Sequence, residues 1–116
     1  MRVEKTKKGS VCVLSPKGKL ASANSALFAD QCMSILHKGE TVLLMECSGL
    51  DYISSAGLRS IYLLAASLET VSGKIAFCSL TKNVKKVFDL VDMGSDIPIF
   101  GSEKEAIKHL QEEKMG

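Results

Sequence analysis

Apolar and polar positions along this chain follow two alternating periods. Residues 1–7 mix Val3 with Lys, Arg and Glu in the manner of an edge strand. Gly9-Ser10 then turns the chain into Ser10–Leu14, a β-rich run that Pro16 and Gly18 are expected to close. From Ser22 the period becomes helical, with Phe28, Cys32, Ile35 and Leu36 on one face and Gly39 as the stop. Thr41–Cys47 is apolar apart from its ends, as a strand covered on both faces should be. Ser48-Gly49 breaks it, and the short stretch Tyr52-Ile53 leads into a second helix. The stripe of that helix is Leu58, Ile61, Tyr62, Ala65, Leu68 and Val71, and Gly73 ends it.

Lys74–Ser79 reads as another buried strand. Thr81 is placed to cap a third helix with Val84, Val87, Phe88 and Val91 facing inward. Ile97–Phe100 is a short strand that Pro98 marks as an edge. Ser102-Glu103-Lys104-Glu105 is a capping box opening a last helix that buries Ala106, Ile107 and Leu110. Strands alternating with helices predict an α/β domain over residues 1–116: a mixed, largely parallel sheet of about five strands flanked by four helices. In open sheets of this type functional groups gather beyond the carboxyl ends of the strands. The loops to search are therefore Lys17–Asn24, Ser48–Leu58 and Leu80–Asn83.

Composition narrows what those loops can do. The chain has 116 residues, 46% of them hydrophobic and 24% charged, with a net charge of +2. That length is sufficient for one core burying roughly 65% of the unfolded surface. There is no Trp, aromatics make up 5%, and there are two His. Stacking platforms for single-stranded nucleic acid need more aromatics than this, and the charge is too small to steer the chain onto DNA or an anionic membrane. Lys82, Lys85 and Lys86 decorate one helix face without interleaved aromatics, which reads as a solvated surface rather than a nucleic-acid patch.

The amino terminus lacks the apolar run of a secretory signal, and the apolar runs at 41–45 and 61–66 are far short of a membrane span. Cys12, Cys32, Cys47 and Cys78 stand singly, with no CxxC spacing and no His at ligand intervals, so no metal site is predicted. They read as reduced thiols filling the core, and a reducing cytoplasm is the expected compartment. His37 and His109 are assigned to helix carboxyl ends, where a cation is favourable.

One loop carries distinctive chemistry: Asp51-Tyr52-Ile53-Ser54-Ser55-Ala56-Gly57-Leu58-Arg59. A buried strand ends, two serines follow, and a glycine precedes the helical stripe. Read as structure alone, Ser54 or Ser55 is a helix N-cap, worth about 1 kcal/mol. Read as function, a serine hydroxyl stands beside unpaired amides and the positive end of a helix dipole, where a phosphate would be well received. A phosphate there would add about −1.5 to −2 charges without touching the core. A nucleophile elbow is a weaker reading, since GxSxG is missing and neither His is placed as a base. Gly-rich phosphate loops are missing too, so no catalytic residue and no cofactor is expected.

The GKL turn at Gly18–Leu20, the centre VLLMECSGLDYISSAGL and the closing IFGSEKEAI resemble a STAS domain of the bacterial anti-sigma factor antagonist family. That resemblance implies a partner switch in transcription regulation. The unphosphorylated antagonist binds an anti-sigma factor that is also a serine kinase, releasing a sigma factor; phosphorylation abolishes binding, and a metal-dependent serine phosphatase of the PPM type restores it. Aligned on Gly57-Leu58, the family's phosphorylated serine falls on Ser55, with Ser54 as the fallback acceptor. The neighbourhood implied for phosphate or partner is Ser54, Ala56, Gly57, Leu58 and Arg59, with Ser22, Ala23 and Asn24 from the loop before the first helix. Ser54 stands where the family has an acid, Ala56 where it has a second hydroxyl, and Ala21 where it often has Asp. The loss of both acids keeps a second reading open, a STAS scaffold or ligand-binding module in a signalling complex that is never phosphorylated.

Overall fold

Two strands, a helix and then strands alternating with helices make up the chain in the computed structural model, which describes residues 2–115 and side chains as far as Gln111. Met1 and Gly116, the ends of the expected domain, lie outside the described residues. The elements are β1 (Arg2–Lys8), β2 (Val11–Leu20), α1 (Ser25–His37), β3 (Val42–Glu46), β4 (Leu50–Ile53), α2 (Ser55–Glu69), β5 (Lys74–Cys78), α3 (Lys82–Leu90), α4 (Met93–Asp96), β6 (Ile99–Phe100) and α5 (Glu103–Met115). The mixed α/β fold is the expected one, with one more strand and one more helix.

The sheet order is β1-β2-β3-β5-β6, and β4 pairs with the far end of β2. Among the described residues only the β1–β2 pair is antiparallel, and the other pairings are parallel. Alternation along the strands sorts side chains into two layers. Cys12 and Leu14 of β2, Leu43 and Met45 of β3 and Phe77 of β5 face a core shared with α1, α2, α3 and α4. Val11, Val13, Val42, Leu44, Ala76 and Cys78 face the other way, onto Ala106 and Leu110 of α5. In the larger core the rings of Phe77 and Phe88 meet edge to face, centroids 5.0 Å apart.

Pro16 and Gly18 do not close β2, which runs on to Leu20. Pairing of β2 with β3 ends at Leu14 and pairing with β4 begins at Gly18, so on that edge Pro16 occupies a gap between ladders, while on the other edge it stays in register with Val3 of β1. Gly18, at φ 103°, carries the irregularity that realigns the strand for β4. Tyr52-Ile53 thereby becomes part of a strand rather than a lead into the helix.

Helix boundaries follow the expected stops with one exchange of roles. Gly39, at φ 98°, ends α1 as predicted. After α2 the left-handed step belongs to Ser72, at φ 56°, while Gly73 donates back to the Leu68 carbonyl at 2.7 Å. Gly73 is required for space instead: a Cβ there would lie 2.7 Å from both the Thr41 carbonyl and Leu68. Thr81 sits at the N-cap of α3, but its hydroxyl donates to the Leu50 carbonyl at 2.8 Å rather than capping the helix. The serine half of the Ser102 box is formed, with Glu105 N–H donating to Ser102 Oγ at 3.2 Å.

Three residues expected on inward stripes are exposed: Tyr62, Val71 and Val91. Val71 and Val91 fall just past the last turns of α2 and α3, where the helical period no longer applies. His109 lies mid-helix in α5 against the Phe100 ring, not at a carboxyl end; His37 does close α1.

All four cysteines are buried and free. Burial pushes the Cys32 thiol from 9.0 up to about 12 and Cys78 to about 11, and raises Cys12 and Cys47 as well. A thiol whose folded value is raised contributes stability that is complete below its ordinary value and is lost as pH climbs toward the raised one. The urea midpoint should therefore hold below pH 9.0 and fall as pH rises toward about 12, less steeply in a Cys32→Ala, Cys47→Ala variant. Ellman's reagent at neutral pH should label none of the four until urea unfolds the chain. Phe77→Ala should lower stability by about 3–5 kcal/mol in the same titration, because its neighbours cannot collapse into the space.

Candidate functional site

The three loops singled out by the strand ends are stitched together. Gly18 N–H donates to the Gly49 carbonyl at 2.8 Å, Ser54 N–H to the Leu20 carbonyl at 2.9 Å, and the Thr81 hydroxyl to the Leu50 carbonyl at 2.8 Å. The rim of the sheet is thus one cross-linked surface rather than three independent loops.

At its centre the two serines divide their roles. Ser54 takes extended backbone angles and is the N-cap of α2, its Oγ accepting from Gly57 N–H at 3.2 Å. It is half-buried. Ser55 is the first helical residue, and it is exposed. The cap therefore consumes one hydroxyl and leaves the other facing outward. Gly57 is buried, and a Cβ there would stand 2.9 Å from Ile53 and from the Leu20 side chain and 3.0 Å from the Leu20 carbonyl. Only glycine lets the first turn of α2 approach β2 this closely. Leu58 fills the core behind it, and Ser60 is buried with its hydroxyl on the Gly57 carbonyl at 2.7 Å.

The loop before α1 is built on Asn24. Its Oδ1 accepts from Ala21 N–H and its Nδ2 donates to the Lys19 carbonyl, both at 2.9 Å. Ser22 and Ala23 stand exposed at the tip of that turn, and Leu20, two residues before Ser22, holds Ser54. The two predicted segments are thus tied to one strand end.

Two acids stand near the site in sequence, Asp51, exposed on β4 three residues before the Ser54 cap, and Glu46 at the end of β3. The first turn of α2 contains none. Glu46 is occupied nearby, accepting from Ser48 N–H at 2.7 Å and from its hydroxyl at 2.8 Å. Arg59 is exposed four residues after Ser55, the spacing that places two side chains on one helix face. Sequence reasoning missed three exposed apolar side chains on the elements that carry the site. Leu27, in the first turn of α1, and Tyr52, on β4, are 61% and 47% exposed, and Leu63 of α2 is 59% exposed. Exposed positions lie off the buried stripe, so periodicity marks them only as not core. The lysines of α3 are exposed as expected, with Lys85 paired to Asp89 at 3.0 Å.

The STAS domain family matches residues 2–106. The chain belongs to that family. Among curated relatives, the STAS domain described here is 31% identical over 106 residues to BtrV of Bordetella bronchiseptica, named as an anti-sigma factor antagonist; the match covers 91% of each chain. In fold it is similar to the anti-sigma factor antagonist TM1081 of Thermotoga maritima, with a TM-score of 0.89 at 23% identity over 94% of both chains. It is also similar to the Bacillus cell fate determinant SpoIIAA in its phosphorylated form, with a TM-score of 0.72 at 18% identity over 94% of this chain and 99% of that one. Among the described residues, no helix of this STAS domain is long and apolar enough to cross a membrane.

The division of labour between the serines is directly measurable. Ser54→Ala should lower the unfolding free energy by about 1 kcal/mol and Ser55→Ala by no more than about 0.5 kcal/mol, since only the first removes a cap. Gly57→Ala should cost more than either, by about 1–3 kcal/mol, as the added methyl meets Leu20 and Ile53. Equal losses for the two serine variants would contradict this assignment.

Proposed function

We propose that the protein is an anti-sigma factor antagonist working as a phosphorylation-controlled partner switch, with Ser55 as the acceptor. In its unphosphorylated form it binds an anti-sigma factor that is also a serine kinase, and a sigma factor is released. Phosphorylation of Ser55 ends the association, and a metal-dependent phosphatase of the PPM type resets it. The kinase and phosphatase supply the chemistry, so this chain needs no catalytic residue or cofactor of its own. An ATP-dependent kinase partner goes with a cytoplasmic location.

One observation carries this reading: Ser54 holds the helix cap while the Ser55 hydroxyl stands exposed in the first turn of α2. The names of the sequence relatives support the antagonist role. The docking surface in this reading is the rim around Ser55, with Ser22, Ala23 and Asn24 on one side and Leu27 and Tyr52 as apolar anchors. Burying an exposed leucine of this kind against a partner is worth about 1.5–3 kcal/mol. A phosphate in the same contact must be stripped of water and finds no acid to repel it in the first turn, so desolvation is what opposes binding. Arg59 shares a helix face with Ser55 and is the nearest cation along the helix for the phosphate.

Incubation with the anti-sigma kinase and ATP should add one phosphate by intact mass, and Ser55→Ala should abolish it while Ser54→Ala does not. Ser55→Asp should weaken kinase binding at least about tenfold in a calorimetric titration, a loss of about 1.4 kcal/mol. A complex that forms normally with no phosphate transferred would select the scaffold reading, which Ala21 and Ser54 in place of the family acids keep in play. Phosphate retained in the Ser55→Ala, Ser54→Ala double variant would reject the site.

A further inference from the structure

We propose that the groove between the C-terminal half of α2 and α4 binds a small organic ammonium ion with a compact apolar body. The cavity measures about 490 Å³. That lies within the ~300–1,000 Å³ typical of small-molecule sites. Its walls come from three parts of the chain: Tyr62, Ala65 and Glu69 of α2, Ile75 of β5, and Asp96 and Ile97 around the end of α4. Ala65, Ile75 and Ile97 form an apolar lining. Glu69 and Asp96 are both exposed and carry carboxylates contributed by different elements.

The charges favour a cation. Two carboxylates, Glu69 and Asp96, stand in the lining against one lysine, Lys74, so the groove carries an excess of negative charge. The Tyr62 hydroxyl donates to Asp96 Oδ2 over 3.4 Å. That bond is too long to saturate the carboxylate, which keeps acceptor capacity for an ammonium. The Tyr62 ring adds an aromatic wall, and cations are attracted to such faces. Burial and then the neighbouring Asp96 raise the Tyr62 phenol, so the hydroxyl stays neutral and does not itself add charge. A ligand of this class would set its apolar body on Ala65 and Ile97 and its ammonium between the two carboxylates. Tyr62 lies seven residues beyond Ser55, about 10 Å along α2, so the groove is separate from the serine rim and does not depend on the proposed switch.

An NMR titration of the isotope-labelled full chain with phenethylamine tests the inference, with 3-phenylpropionate as a probe of the same shape and opposite charge. Phenethylamine should produce saturating shifts at the amides of Ala65, Ile75 and Ile97 with a Kd of about 1 mM. The carboxylate probe should bind at least about fivefold more weakly, and Asp96→Asn should weaken the amine about fivefold, the scale of one exposed charge contact. Ala66→Trp, an exposed change on the groove wall, should abolish the shifts, and Ser55→Ala should leave them intact. Equal binding of the two probes, shifts scattered over the surface, no saturation, or unchanged binding in a folded Ala66→Trp variant would each overturn it.

Discussion

The Leu20 carbonyl is where the surface chemistry of this protein is set. It ends β2 and accepts the Ser54 N–H at 2.9 Å, so the backbone entering α2 is anchored to the sheet one residue before the helix starts. Gly57 then passes within contact distance of the same carbonyl, which only a residue without a Cβ permits. With its entry tied and its first turn pressed down, α2 has no freedom to rotate about its axis. The rotation decides which side chains face out. Ser54 turns back onto the helix amides, Leu58 points into the core and Ser55 faces solvent. The turn that Asn24 stabilises begins beside the same Leu20, so the start of α1 is indexed to the same strand end.

That constraint also accounts for the position of the charges. Ser54 can serve as a cap because it is neutral and short, and the role it takes removes the negative charge that an aspartate would place there. The rim is left with an unneutralised helix dipole, an arginine one turn along and no acid in the first turn. A dianionic group is electrostatically welcome in the free protein at such a place. In the proposed switch its effect on an association therefore comes chiefly from the partner side and from lost water, since the first turn of α2 has no acid to repel it.

How much of this was legible depends on what kind of force places each residue. Burial is periodic, so Phe28, Cys32, Leu58, Ile61, Val84 and Phe88 could be assigned from spacing and are all buried. Pro16 misled because a proline normally ends a strand, and the gap between the β3 and β4 ladders exists only in three dimensions. Gly73 and Thr81 show the same limit in another form. Both mark a helix boundary correctly, yet Gly73 is there for the Thr41 carbonyl and Thr81 bonds to Leu50, contacts with no local signature. Within the candidate site, the motif marked the start of α2, and the structure was needed to tell the capping serine from the exposed one. Leu27 and Tyr52 were invisible because an exposed apolar side chain has no period to obey.

The two layers of the sheet explain why such a rim can change state without the fold following. The rim lies beyond the strand ends, while the cores on the two faces are held by Phe77, Phe88 and the branched side chains of β2 and β3. A charge added at Ser55 meets solvent and backbone amides, and neither core loses a contact. The proposed association would be far more exposed to the change. Two apolar anchors contribute about 3–6 kcal/mol together, and leaving a buried charge without its partner costs about 3–5 kcal/mol. Those magnitudes are comparable, so in the proposed switch one phosphate on an exposed hydroxyl is of the size needed to offset the apolar grip of the rim without a conformational change.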